Sequence, residues 1–169
     1  LAGKPAPVDL DLEWASDRKV KLADSKGKVA ILLFRGVGDI RSATIIKPLS
    51  DWVEKRSDST FAVVSYLRQG EDVVKQMDGM HAELAQLGYD GPAGFDPDAE
   101  GKKLFRAMRA NVGSATLFIV DREGKLVWFM QDPRNVDAKF VTALVERKLA
   151  GTPCKLAPTP TAAPPAEKR

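Results

Sequence analysis

Val29-Ala30-Ile31-Leu32-Leu33-Phe34 is an unbroken apolar run with Gly27 on one side and Gly36 on the other. A run this short, between glycines, predicts a strand buried on both faces. A strand with two buried faces needs helices over a sheet, so this one segment already points to an α/β architecture. The residues after Phe34 agree with it. Gly36-Val37-Gly38 turns the chain, and Asp39 stands where a helix N-cap belongs. Ile45, Leu49, Trp52 and Val53 then recur at helical spacing, with Pro48 inside the helix as a source of a kink.

The remaining elements are read in the same way. Leu10 to Trp14 alternates, Ala15 to Arg18 turns, and Val20 and Leu22 continue the alternation, which predicts an N-terminal β-hairpin. Phe61 to Leu67 is a second buried strand. Glu71 to Leu87 is helical in period, with Val74, Met77, Leu84 and Leu87 inward and Gly88 as its stop. Asp96 to Ala110 reads as a further helix with Leu104, Phe105 and Met108 inward. Thr116 to Val120 and Leu126 to Met130 form a hairpin around Asp121-Arg122-Glu123-Gly124. Val136 to Leu149 is the last helix, with Phe140, Leu144 and Val145 inward. Residues 1–150 are expected to be one domain, and 151–169, with five prolines, a disordered or extended tail.

Composition excludes several functions. The net charge is +3, and the basic residues are interspersed with acidic ones. Nucleic-acid backbone binding needs a clustered basic surface, so none is expected. No apolar run reaches the length of a membrane span. Leu1 in place of an initiator methionine is read as a processed or trimmed start, compatible with a removed export signal that the chain itself does not show. Leu1-Ala2-Gly3 is the kind of tripeptide that precedes a lipidated cysteine, but Lys4 stands in the cysteine's place. His81 and Cys154 are the only histidine and the only cysteine, and neither has a companion at metal-ligand spacing. No metal and no cofactor is expected, and no intrachain disulfide is possible. Cys154, in the tail, is flagged as an intermolecular thiol.

Four segments together resemble the thioredoxin-like superfamily, nearest its redoxin branch of TlpA-like and peroxiredoxin-like (AhpC/TSA-type) proteins. They are Gly3-Lys4-Pro5-Ala6-Pro7, the stretch Lys26 to Phe34, Phe95-Asp96-Pro97-Asp98, and the stretch Thr116 to Val127. The resemblance implies a three-layer sandwich with a central mixed sheet flanked by helices. It also implies where redox chemistry would sit. The two thiols of a Cys-x-x-Cys would fall at Asp39 and Ser42, and a peroxidatic cysteine at Ala43. A cis-proline would fall at Ala115, or at Ser114 with a one-residue slip. None of these positions carries the family's residue. The thiolate is the nucleophile of that chemistry, so no catalytic residue is assigned.

What remains at those positions has simpler roles. Asp39 and Ser42 are expected to cap and open the helix. A Ser–His pair is not expected, because His81 lies in another helix. Gly36-Val37-Gly38 precedes a helix as a phosphate loop does, but Arg41 stands where the third glycine of the fingerprint would be. Arg35 and Arg41 read as solvated arginines able to meet a partner's carboxylate. Trp128-Phe129-Met130 offers more apolar surface than one sheet face buries, a weak sign of an interface.

The reading is a redox-inactive domain that binds a protein partner or serves a larger assembly in the periplasm or elsewhere outside the cytoplasm. Its candidate binding face comprises Arg35, Gly36, Val37, Gly38, Ile40, Arg41 and Ser114, or else an edge strand. The alternative is a divergent thiol–disulfide oxidoreductase or peroxidase that uses Cys154 or a partner's thiol. A small-ligand site at the helix N-terminus is a third possibility.

Overall fold

The computed structural model describes residues 4–6, 13–14, 27–66, 70–96, 115–131 and 137–150. In chain order these form β1 (Lys4–Pro5), β2 (Glu13–Trp14), β3 (Val29–Gly36), α1 (Ile40–Glu54), β4 (Ser59–Tyr66), α2 (Val73–Gln86), β5 (Ala93–Asp96), β6 (Thr116–Val120), β7 (Lys125–Gln131) and α3 (Ala138–Leu149). All seven strands join one sheet in the order β1-β7-β6-β3-β4-β5-β2.

The predicted central strand is central. β3 pairs in parallel with β4 on one side, from Val29↔Ser59 to Gly36↔Tyr66, and antiparallel with β6 on the other. Every residue from Val29 to Phe34 is buried. Their alternation splits them between two cores, as strand geometry requires. Val29, Ile31 and Leu33 face the helices, where Ile45 and Leu49 of α1, Met80 and Leu84 of α2, and Val141 and Val145 of α3 pack. Ala30, Leu32 and Phe34 lie in a second cluster with Val64, Phe118 and Leu126. Phe34 meets Phe118 edge-on, 5.6 Å between ring centroids.

Several expectations need correction. A strand at Ala93–Asp96 pairs in parallel with β4, so Asp96 ends a strand rather than starting a helix. The rest of the predicted 96–110 helix lies outside the described residues, as do the 151–169 tail and Val20 and Leu22 of the N-terminal hairpin. The hairpin's described part, Glu13–Trp14, pairs with β5 at the sheet edge. In α2 the inward face is Gln76, Met80 and Leu84, and Val74 is exposed. An i, i+4, i+8 stripe is as helical as the one expected, but it is rotated away from Val74. In α3 Phe140 is also exposed and Val141 takes the core position. Phe140 tilts against Trp128 at 6.1 Å. β1 pairs with the start of β7, at Lys125 and Leu126. Beyond it Trp128, Phe129 and Met130 are half-buried, with Phe129 stacked on Phe118 and Trp128 packed against the helical core.

Helix ends follow their local chemistry. Asp72 caps α2 by accepting from the Lys75 backbone N–H at 2.9 Å. At the other end Gly88 donates to Ala85 O and Tyr89 to Leu84 O, the paired bonds of a Schellman closure.

Candidate functional site

The C-terminal ends of β3 and β4 meet the first turn of α1, which is where ligands gather in parallel α/β sheets. The turn between β3 and α1 is tight. Gly38 has φ +75°, a backbone that L side chains rarely adopt. A Cβ on Gly36 would come within 3.3 Å of the Tyr66 ring on the neighbouring strand. Asp39 N–H donates to Gly36 O, and α1 then begins at Ile40.

Asp39 and Ser42, the positions expected to frame a thiol pair, bond to each other. Ser42 Oγ lies 3.2 Å from Asp39 Oδ2 and 3.3 Å from Asp39 O, with Ser42 buried. Ser42 thus sits in the first turn of α1 and donates back to the residue before the helix. The β3–β6 register, which pairs Phe34 with Thr116, brings buried Ala115 to the same end of the sheet. Ala43 sits half-buried in the first turn of α1. Ser114 and Cys154 lie outside the described residues, and of Arg41 only its place in α1 is described.

Arg35 corrects the sequence reading most sharply. It is not a solvated arginine but is buried, 1% exposed. It continues the alternation of Val29, Ile31 and Leu33 and so points to the helical face. Its Nη2 donates to Glu83 Oε1 of α2 at 2.5 Å and to Asp39 O at 2.6 Å. One side chain therefore ties β3, the α1 turn and α2 together. Among the described residues Nε and Nη1 of Arg35 are buried with no hydrogen-bond partner, and so is Oγ of Ser65, the residue paired with Arg35 in the β3–β4 register. Unpaired buried donors cost free energy, so stability is given up at this spot. Tyr66 closes the end of β4. Burial pushes its phenol above its ordinary value, the Asp39 carboxylate adds to this, and Arg35 partly offsets it.

Sequence reasoning missed the Arg35–Glu83 pair, although two signals were present. A cation directly after six buried apolar residues needs a carboxylate. Glu83, between Met80 and Leu84 on the inward stripe of α2, is the carboxylate at the right spacing.

Beside this pair an open cavity of about 570 Å³ lies between the β3–α1 turn and the face of α2 that runs to Glu83. Val37, Gly38 and Ile40 form one wall, and Gln76, Gly79 and Glu83 the other. Among the described residues no group of three His, Cys, Asp or Glu side chains can hold a metal ion. Nor is any helix among them long and apolar enough to cross a membrane.

A mixed sheet with helices packed on it, and a strand–turn–helix unit at its centre, is the thioredoxin-like fold, and this chain has it. Solved structures place it there at low identity. A thioredoxin-like protein in its oxidised form matches with a TM-score of 0.70 at 18% identity, covering 89% of this chain and 97% of that one. A thiol-disulfide isomerase from Corynebacterium glutamicum matches at 0.65 and 18%, covering 86% and 97%. A secreted disulfide oxidoreductase of Mycobacterium tuberculosis matches at 0.56 and 17%, covering 78% and 87%. No protein-family model and no curated protein sequence matches the chain.

Proposed function

We propose that this chain is a redox-inactive thioredoxin-like domain that binds a protein partner, as a recognition or structural subunit of an assembly outside the cytoplasm. One observation carries the reading. The two positions where the resemblance places the thiol pair hold Asp39 and Ser42, bonded to each other, in a chain whose single cysteine is Cys154. Thiol exchange needs a thiolate at the helix N-terminus, and an aspartate and a serine supply none. The end of the sheet nevertheless keeps features of a working site: a tight glycine turn, a buried cation with donors unused among the described residues, and a cavity. Departures from optimal stability concentrate where function needs them. The extracytoplasmic placement draws on one structural neighbour being described as secreted.

The test uses the full chain in insulin-reduction and peroxide-consumption assays. The expected result is a rate indistinguishable from the protein-free blank. Turnover that disappears in Cys154→Ser would replace this reading with a divergent oxidoreductase acting through that thiol. Gentle purification from native soluble and membrane fractions should then recover a stoichiometric protein partner. A clean monomer in both fractions would count against a binding module.

A further inference from the structure

We propose that the cavity between the β3–α1 turn and α2 is a docking pocket for a partner segment that presents a lysine or arginine beside an apolar side chain. The inference rests on the binding-module reading and names the chemistry of its partner. Three properties of the cavity lead to it.

The first is size and lining. At about 570 Å³ the cavity falls within the range of pockets that enclose a ligand. Its α1 wall is apolar and ends in Ile40, which is 78% exposed. Ile40 lies at the mouth of the cavity rather than in the core. An apolar side chain there gives an incoming aliphatic group a surface to cover.

The second is charge. Among the described residues Glu71, Asp72 and Glu83 all line the cavity, and Lys75 is the one basic wall residue. An acidic segment would meet like charge. A purely apolar segment would strip water from carboxylates without replacing it, at a cost in free energy. A cation flanked by an apolar group satisfies both walls.

The third is how Glu83 is held. Its Oε1 takes the bond from buried Arg35, while its side chain remains 20% exposed at the cavity. A carboxylate has acceptor sites on both oxygens, so Oε2 is left for an incoming donor. Arg35 thereby acts as a positioning residue. It fixes the carboxylate before the partner arrives, which removes part of the ordering cost of binding.

The experiment is an NMR titration of the ¹⁵N-labelled full chain with acetyl-Leu-Arg-Leu-amide, and with acetyl-Leu-Glu-Leu-amide as control. The basic peptide should produce saturable shifts at the amides of Gly38, Ile40 and Gly79, with an apparent affinity at least about fivefold above the acidic peptide. Glu83→Gln should weaken it most. Glu71→Gln and Ile40→Ser alter exposed side chains and keep the test valid if Glu83→Gln fails to fold. Each should weaken binding about threefold, and added salt should weaken it further. Absent shifts, equal binding of the acidic peptide, or unchanged binding in Glu71→Gln and Ile40→Ser would overturn the proposal. A chain that turns over insulin overturns the binding-module reading whatever the peptides do. An inert chain that ignores the basic peptide overturns this pocket alone.

Discussion

Residues 29–34 and residue 35 share one strand and one unbroken ladder with β4, and all are buried, but they are held by opposite means. From Val29 to Phe34 each side chain has an apolar neighbour on its own face, and nothing polar needs matching. At Arg35 the strand keeps its geometry and loses that simplicity. A guanidinium enters the same core face, only Nη2 finds partners, and the adjacent Ser65 hydroxyl finds none. The strand body gains from burial at every position, while its tip gives some of that back. The contrast teaches that burial alone does not define a core. The tip is buried because the fold requires the strand to pass beneath two helices, and its chemistry answers to something other than stability.

The comparison can be broken in the strand body first. Phe34→Ala removes a fully buried ring packed on Phe118 and should cost about 4 kcal/mol in urea unfolding. A loss below about 1 kcal/mol would mean that the body is no better packed than the tip. Next comes the ion pair. Glu83→Ala leaves Arg35 buried without its carboxylate and should cost about 3 kcal/mol, whereas Arg35→Met with Glu83→Leu should be neutral or stabilising. If the double variant is as unstable as the single one, the pair supports the fold and the contrast fails.

Two smaller effects sharpen the contrast. Ser65→Ala deletes a buried hydroxyl with no partner and should raise stability by up to about 1 kcal/mol, the reverse of a normal core truncation. Tyr66 offers a titration. Its folded pKa is raised above the ordinary 10.0, so its contribution to stability is complete below that pH and declines as pH rises through the folded value. Absorbance of the phenolate should lose a late-ionising component in Tyr66→Phe. In Arg35→Met, where the nearby cation is gone, it should ionise later still.

The same division governs what the sequence revealed. The strand body was legible because six consecutive apolar residues between glycines have few alternatives. The β6–β7 hairpin was legible for its turn chemistry, and Gly88 closes α2 where its stop was read. Val74 and Phe140 were misplaced because periodicity gives a helix a stripe but leaves its rotation to tertiary contacts, and Gln76 and Val141 took those positions. Ala93–Asp96 was missed because a short strand containing glycine has little signal before its partner β4 is in place. At the candidate site, the sequence located the turn and the positions of Asp39 and Ser42. It could not place Arg35, because whether a cation at a strand end is solvated depends on which helix lies above it.

The ends of the sheet bear on how this domain meets other chains. Among the described residues each outermost strand is two residues long, Lys4–Pro5 on one side and Glu13–Trp14 on the other. A guest strand laid along either would find a rung or two of backbone to pair with, and Pro5 brings no N–H at all. The longer stretch of open backbone lies one strand in. β1 pairs only with Lys125 and Leu126, so among the described residues β7 from Val127 to Gln131 has no neighbour on its outer side. A strand added to this sheet would meet that stretch, inside the two-residue flap, and not the outermost strand itself.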